Sequence, residues 1–142
     1  ETAIEMAMEF STTNKRGGKY LFEHQLVQLN ISEMHMLTEA LRSFVMRVAW
    51  EHDQGQRSAI GVFMVNYSTD VIQRVTKLNM EIHASNGNNM NARADKLVRD
   101  AMVWSHLAGD TVLRLKAVSK LKIAQEFSWA TDAEVAASEA AE

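Results

Sequence analysis

The residues with most chemical reach in this sequence are its five histidines, and their spacing speaks first against a metal centre. Helical di-iron sites need Glu-x-x-His pairs projecting from one helix face. His24, His35, His52, His83 and His106 are preceded three positions earlier by Leu21, Ser32, Ala49, Met80 and Val103, so none supplies such a pair. Glu51-His52-Asp53 gathers three potential ligands. Consecutive helical residues point about 100° apart and do not converge, so a solvated helix end is the simpler reading. With no cysteine, thiolate zinc sites, disulfide frameworks and cysteine nucleophiles are all excluded. The nine methionines mostly fall on apolar stripes, where they read as core filler rather than soft ligands.

One stretch suits an anion. Gly17-Gly18 is flanked by Lys15, Arg16 and Lys19, and flexible backbone amides beside cations suit a phosphate. The spacing is neither that of a P-loop nor of a dinucleotide fingerprint, and an ordinary basic loop is the alternative. The formal net charge of -3 and the scatter of basic residues speak against a nucleic-acid partner. No apolar run approaches the ~20 residues of a membrane span, and no signal peptide is visible. The sequence opens on Glu1, without methionine and already in helical pattern. That leads us to expect a piece of a larger protein, by default cytoplasmic.

The elements that must position these residues are helices. At 142 residues the chain has room for one domain, able to bury roughly two-thirds of its unfolded surface without a disulfide or metal. It has no proline and six glycines, so long helices are allowed and the glycines punctuate them. Ala3, Ile4, Ala7 and Met8 have helical spacing over 1–13. Val27, Ile31, Met34, Leu41, Val45 and Val48, widened by Leu37, Ala40 and Phe44, predict a long helix over 23–52 whose broad apolar stripe buries against other helices. Asp53-Gln54-Gly55-Gln56 ends it. Ile60, Met64, Tyr67, Val71, Val75, Leu78 and Ile82 predict another over 58–83, with Ser58 as N-cap. Residues 84–89, rich in Asn and Gly, read as a loop. A shorter helix follows from about Ala92, and Asp110 after Gly109 caps a last one carrying Val112, Leu115, Val118 and Leu121. The expectation is an all-α, up-and-down helical bundle over residues 1–125. The acidic, alanine-rich tail over 126–142 has little apolar surface to dock and is expected to fray.

Three stretches, in this order and at these intervals, resemble the C-terminal helical domain of acyl-CoA dehydrogenases, and the resemblance covers residues 1–121. Asn14-Lys15-Arg16-Gly17-Gly18-Lys19-Tyr20, followed by Glu23-His24-Gln25-Leu26-Val27-Gln28, is similar to the family's Arg-x-x-Phe-Gly-Lys-Pro loop and its Gln-x-Val-Gln helix start. Glu81-Ile82-His83-Ala84-Ser85-Asn86-Gly87 resembles the Gln-x-x-Gly-Gly-x-Gly loop. Lys96-Leu97-Val98-Arg99-Asp100-Ala101, then Leu107-Ala108-Gly109-Asp110, resembles the Arg-Asp-Ala helix and the Tyr-Glu-Gly-Thr turn after it.

The resemblance implies a flavoprotein oxidoreductase of fatty acid metabolism that dehydrogenates an acyl-CoA between its α and β carbons. FAD lies between this domain and a β-rich one, with its adenine end clasped by the same domain of a neighbouring subunit, so dimers or tetramers are implied as well. It also implies that Arg16, Glu81, Ser85, Asn86 and Gly87 contact the cofactor. Several positions depart from the family pattern. Asn14 stands where the loop arginine is usual, with Arg16 two positions along, and Gly17 and Tyr20 replace phenylalanine and proline. Glu81 replaces glutamine, adding negative charge, and Ala84 and Ser85 replace paired glycines. Ala108 stands at the glutamate position and Asp110 replaces the threonine. Alanine has no ionisable group, so the proton-abstracting carboxylate must be Asp110 or lie outside this chain. Capping is the commoner use of Asp in such a place. These departures motivate a second reading, a cofactor-poor structural or heteromeric partner subunit of the same fold. A third is an unrelated helical binding bundle.

Overall fold

The computed structural model describes residues 1–55, 60–89, 91, 93–107, 112, 114 and 115. Helix α1 spans Thr2–Thr13, and a minimal hairpin follows, with strand β1 at Lys15–Arg16 and β2 at Lys19–Tyr20. A 3₁₀ turn at Leu21–Glu23 leads into α2, Gln25–Asp53, then α3, Ile60–His83. A second 3₁₀ turn, Ala84–Asn88, leads to α4, Ala94–Leu107. The all-α expectation holds, the two-residue ladder being the only strand pairing among the described residues.

Cross-helix contacts set the directions. Glu33 meets Arg74 and Phe44 meets Tyr67, so α2 and α3 run antiparallel. Thr2 and Ala3 line a cavity with Val71 and Val75, while Phe10 lies on His83, so α1 runs parallel to α3. Leu97 lines that same cavity with Val75 and Thr76, and Trp104 reaches Ser68, which makes α4 antiparallel to α3. The chain therefore goes up, down, up, down, with α3 touching α1, α2 and α4.

Helix α3 is central because it is the helix with apolar or small residues on several sides. Ser68, Thr69, Val71, Val75, Thr76, Leu78, Asn79, Ile82 and His83 are all buried along it. The hydroxyls of Ser68, Thr69 and Thr76 donate to carbonyls one turn back, which lets polar residues sit inside. Helix α1 lays Ala3, Ile4 and Ala7 into the core beside Val71, Val75, Leu78 and Ile82, its alanines permitting close approach. Ion pairs tie α2 to its neighbours: Arg42 to Glu1 at the start of α1, and Glu33 to Arg74 of α3 through two hydrogen bonds of 2.7 and 2.9 Å.

The long helix α2 departs from expectation in its burial. Of its broad stripe only Ile31 and Met34 are fully buried, while Val45 is 43% exposed. Val27, Leu37 and Leu41 are partly buried against the core. A stripe that broad needs more than one helix to cover it, and within this chain α2 lies mainly on α3. Gly55, at φ +73°, ends the helix inside the expected punctuation. Ser58, Ala92, Ala108, Asp110 and the 126–142 tail lie outside the described residues. Of the expected last helix, Val112, Arg114 and Leu115 are described and helical, and Arg114 pairs with Asp70 of α3 at 2.7 Å.

Candidate functional site

Both segments expected to be irregular loops are ordered, and the fold brings them together at the C-terminal ends of α1 and α3. In the hairpin Lys15 pairs with Tyr20 and Arg16 with Lys19. The two residues between the strands, Gly17 and Gly18, have φ of +61° and +83°. Positive φ at both centres is what a tight two-residue hairpin turn needs, and glycine adopts it without steric cost. The same glycine pair that reads as flexible in sequence is thus a fixed turn. The Tyr20 N–H donates to the Glu23 carboxylate at 2.6 Å, and Lys19 Nζ donates to the Glu23 carbonyl at 3.2 Å. His24 Nε2 lies 3.1 Å from the Arg16 carbonyl. A carbonyl only accepts, so Nε2 carries the proton there. These bonds fix the backbone and leave the exposed Arg16 side chain at the rim.

The second segment begins at His83. Its Nδ1 lies 2.8 Å from the Asn79 carbonyl and must donate to it, which in the neutral ring leaves Nε2 as an acceptor. The ring is buried and stacks on Phe10, centroids 4.2 Å apart and planes 24° apart. The next residue, Ala84, has φ +50°, a left-handed conformation that costs an L-residue about 1–2 kcal/mol. Gly87 is buried against the preceding helix: a Cβ there would stand 2.7 Å from the Met80 carbonyl oxygen and 3.0 Å from Met80 Cγ. Only glycine fits without displacing backbone.

Two cavities meet where these segments converge. One, of about 160 Å³, is lined by Asn14, Lys15, Arg16, His83, Ala84 and Asn86 among others. The other, of about 330 Å³, is lined by Met6, Glu9, Phe10, Thr13, Asn86 and Asn89 together with His83. Phe10, His83 and Asn86 are common to both. Of the residues expected at a cofactor, Arg16 and Asn86 are therefore brought to one cavity. Gly87 instead seats the turn on α3, and Ser85 is exposed and does not line either cavity. Glu81 is exposed on α3. The Arg74 guanidinium is held above its usual range by its hydrogen bond to Glu33, with the charges of Glu33 and Glu81 adding to this. Asn14 is engaged differently from an anion ligand: its Nδ2 donates to the Phe10 carbonyl at 3.0 Å and closes the end of α1.

No sequence pattern marks Phe10, Thr13 or Asn89, and His83 reads there only as a possible metal ligand and as part of the 81–87 stretch. Their pairing joins segments far apart in the chain, and no local spacing signals it. Among the described residues no cluster of His, Asp and Glu could hold a metal ion, and no helix is long and apolar enough to cross a membrane.

What the fold and the junction define is an up-and-down helical domain, with four helices spanned by its described residues, that offers a basic hairpin and a glycine-dependent turn at one end. The family profile of the acyl-CoA dehydrogenase C-terminal domain matches residues 1–121, and the chain belongs to that family. Cyclohexane-1-carbonyl-CoA dehydrogenase of Geobacter metallireducens is 25% identical over 128 residues, 89% of this chain and 32% of that protein. The same fold is found in butyryl-CoA dehydrogenase from Megasphaera elsdenii, at a TM-score of 0.79 and 23% identity over 85% of this chain and 32% of that one. It is found too in a prolyl acyl carrier protein oxidase, at 0.78 and 20% over 84% and 32%. This chain spans about a third of the length of such relatives. The unrelated-bundle reading is thereby set aside.

Proposed function

We propose that this chain is the C-terminal domain, residues 1–125 with an acidic tail over 126–142, of a flavin-dependent dehydrogenase acting on an acyl-CoA in the cytoplasm. Family membership carries the reading, and the convergence of Arg16 and Asn86 on one cavity supports it. The residues at the junction fit one end of FAD. Lys15 and Arg16 bring positive charge, and Asn86 brings an amide, to a cavity of about 160 Å³. A pyrophosphate is an anion with several acceptor oxygens and suits that set. Cavities of about 160 and 330 Å³ admit only part of a dinucleotide, so the remainder would rest on protein outside this chain.

Arg16 and Asn86 would hold the anionic end, whereas Glu81, Ser85 and Gly87, which the resemblance also implies at the cofactor, line neither cavity. The bound flavin supplies the hydride acceptor. This chain's part is to neutralise and orient. The base that takes the acyl α-proton is a carboxylate outside this chain or Asp110, since Ala108 carries none. A second reading keeps one specific support: Asn14, in the arginine's place, spends its amide on the end of α1, as a partner subunit that has lost cofactor contacts would do.

The test uses the full-length protein. We expect stoichiometric flavin absorbance that bleaches on adding an acyl-CoA, and Arg16→Ala to weaken FAD binding about ten- to a hundredfold, the worth of a charge-assisted hydrogen bond. A colourless protein that acquires no flavin supports the partner-subunit reading instead. Asp110→Asn keeps an N-cap and removes the charge. Activity surviving it places the base elsewhere, and a loss of several orders of magnitude with folding intact makes Asp110 the base.

A further inference from the structure

We propose that Asn86-Gly87 is a site of spontaneous deamidation, forced on the turn by its packing and able to switch off the basic cavity beside it. Asn86 is the only asparagine in the sequence followed by glycine. A side chain on the following residue shields its backbone nitrogen, and glycine has none. The glycine is not free to change, because a Cβ at position 87 would lie 2.7 Å from the Met80 carbonyl oxygen. Asn86 itself is exposed, so hydroxide and water reach it.

The chemistry needs only water and hydroxide. The Gly87 nitrogen loses its proton and attacks Asn86 Cγ. A new N–Cγ bond closes a five-membered succinimide while the Cγ–Nδ2 bond breaks, and ammonia leaves with a proton taken from water. Water then opens the ring at either carbonyl, giving aspartate or isoaspartate. Nothing is oxidised or reduced.

The 3₁₀ turn at Ala84–Asn88 gates this step. In helical backbone geometry the Gly87 nitrogen is off the line of attack on Cγ, so the turn must open first. Short 3₁₀ turns have poor hydrogen-bond geometry and open locally at low cost. The consequence falls on both cavities, since Asn86 lines each of them. A carboxylate there offsets the charge of Lys15 and Arg16. An isoaspartate also adds a methylene to the backbone just before Gly87, which shifts that glycine from its close seat against Met80.

Peptide mapping of the intact protein, aged at neutral and at mildly alkaline pH, with and without urea, tests this. We expect Asn86 to convert faster than every other asparagine, faster at alkaline pH, and faster still in urea. Asn86→Gln should abolish the signal at this position while leaving the fold unchanged. Asn86 persisting as the amide while other asparagines convert, or a rate indifferent to pH, overturns the proposal. Equal rates in native and unfolded protein overturn the gating by the turn.

Discussion

Ala84 holds its left-handed backbone where the family pattern has glycine, so the turn has kept a conformation while losing the residue that adopts it freely. Replacing a residue strained at positive φ relieves about 1–2 kcal/mol, and glycine's greater unfolded-state freedom takes back about 0.5–1 kcal/mol. Ala84→Gly should therefore raise stability by roughly 0.5–1 kcal/mol, read as a higher urea midpoint with an unchanged slope. Asn79 presents the opposite case. It is fully buried on α3, its carbonyl accepts from His83, yet neither side-chain amide atom has a partner. An unsatisfied buried polar group costs about 1–3 kcal/mol. Asn79→Leu, close in volume and unchanged in backbone, should raise the thermal midpoint. A fall on substitution would mean that the amide is satisfied in solution after all.

At the scale of elements, what sequence makes legible is whatever repeats along one helix. The three-four spacing from Ile60 to Ile82 predicts α3 up to its last residue, His83. The same logic places α1 and α2. It fails on relations between helices. Spacing could not say that α3 would be the shared centre, nor that α2's stripe would be only partly covered. Nor could it say that Gly17-Gly18 would be a fixed turn: a glycine pair permits a flexible loop and a tight hairpin alike, and Glu23 and His24 decide between them through bonds to residues 20 and 16. The ion pair of Arg74 with Glu33 is another such relation, joining α2 to α3. Arg74 holds the Glu33 carboxyl below its usual range through a hydrogen bond and its charge. Because the folded pKa is depressed, the unfolded chain binds the extra proton in acid. The pair's contribution is present above the ordinary carboxylate range and is lost as pH falls through it toward the lower folded value. Glu33→Gln should accordingly flatten the acid limb of stability against pH and leave the neutral-to-alkaline limb parallel to wild type. An acid limb of unchanged slope would show that the exposed pair contributes nothing measurable.

Across the whole molecule, the uncovered side of α2 bears on assembly. Leu26, Leu29, Met36, Met46 and Trp50 are between 52% and 69% exposed. Leu26, Leu29, Met36 and Trp50 are separated by three or by multiples of seven positions, and so share one face of a helix about 43 Å long. Ala40 and Ser43, small and exposed, fall between them on that face and would let a second helix approach closely. A lone apolar residue on a surface needs no explanation, but an aligned row is the mark of a face meant to be covered. Either a further domain or a second copy of this chain would supply such a cover. The family resemblance implies dimers or tetramers, and small residues midway along the row suit helix against helix, so we expect α2 to meet the α2 of another copy. Closed two-fold pairing places the same residues on both sides of the contact, so each substitution counts twice. Leu29→Lys with Met36→Lys should shift the protein toward monomer in sedimentation, at unchanged helicity, because both positions are exposed in the single chain. The double variant sedimenting as wild type would move the contact to another surface, and a wild type that stays monomeric at high concentration would assign the row to another domain of the same subunit.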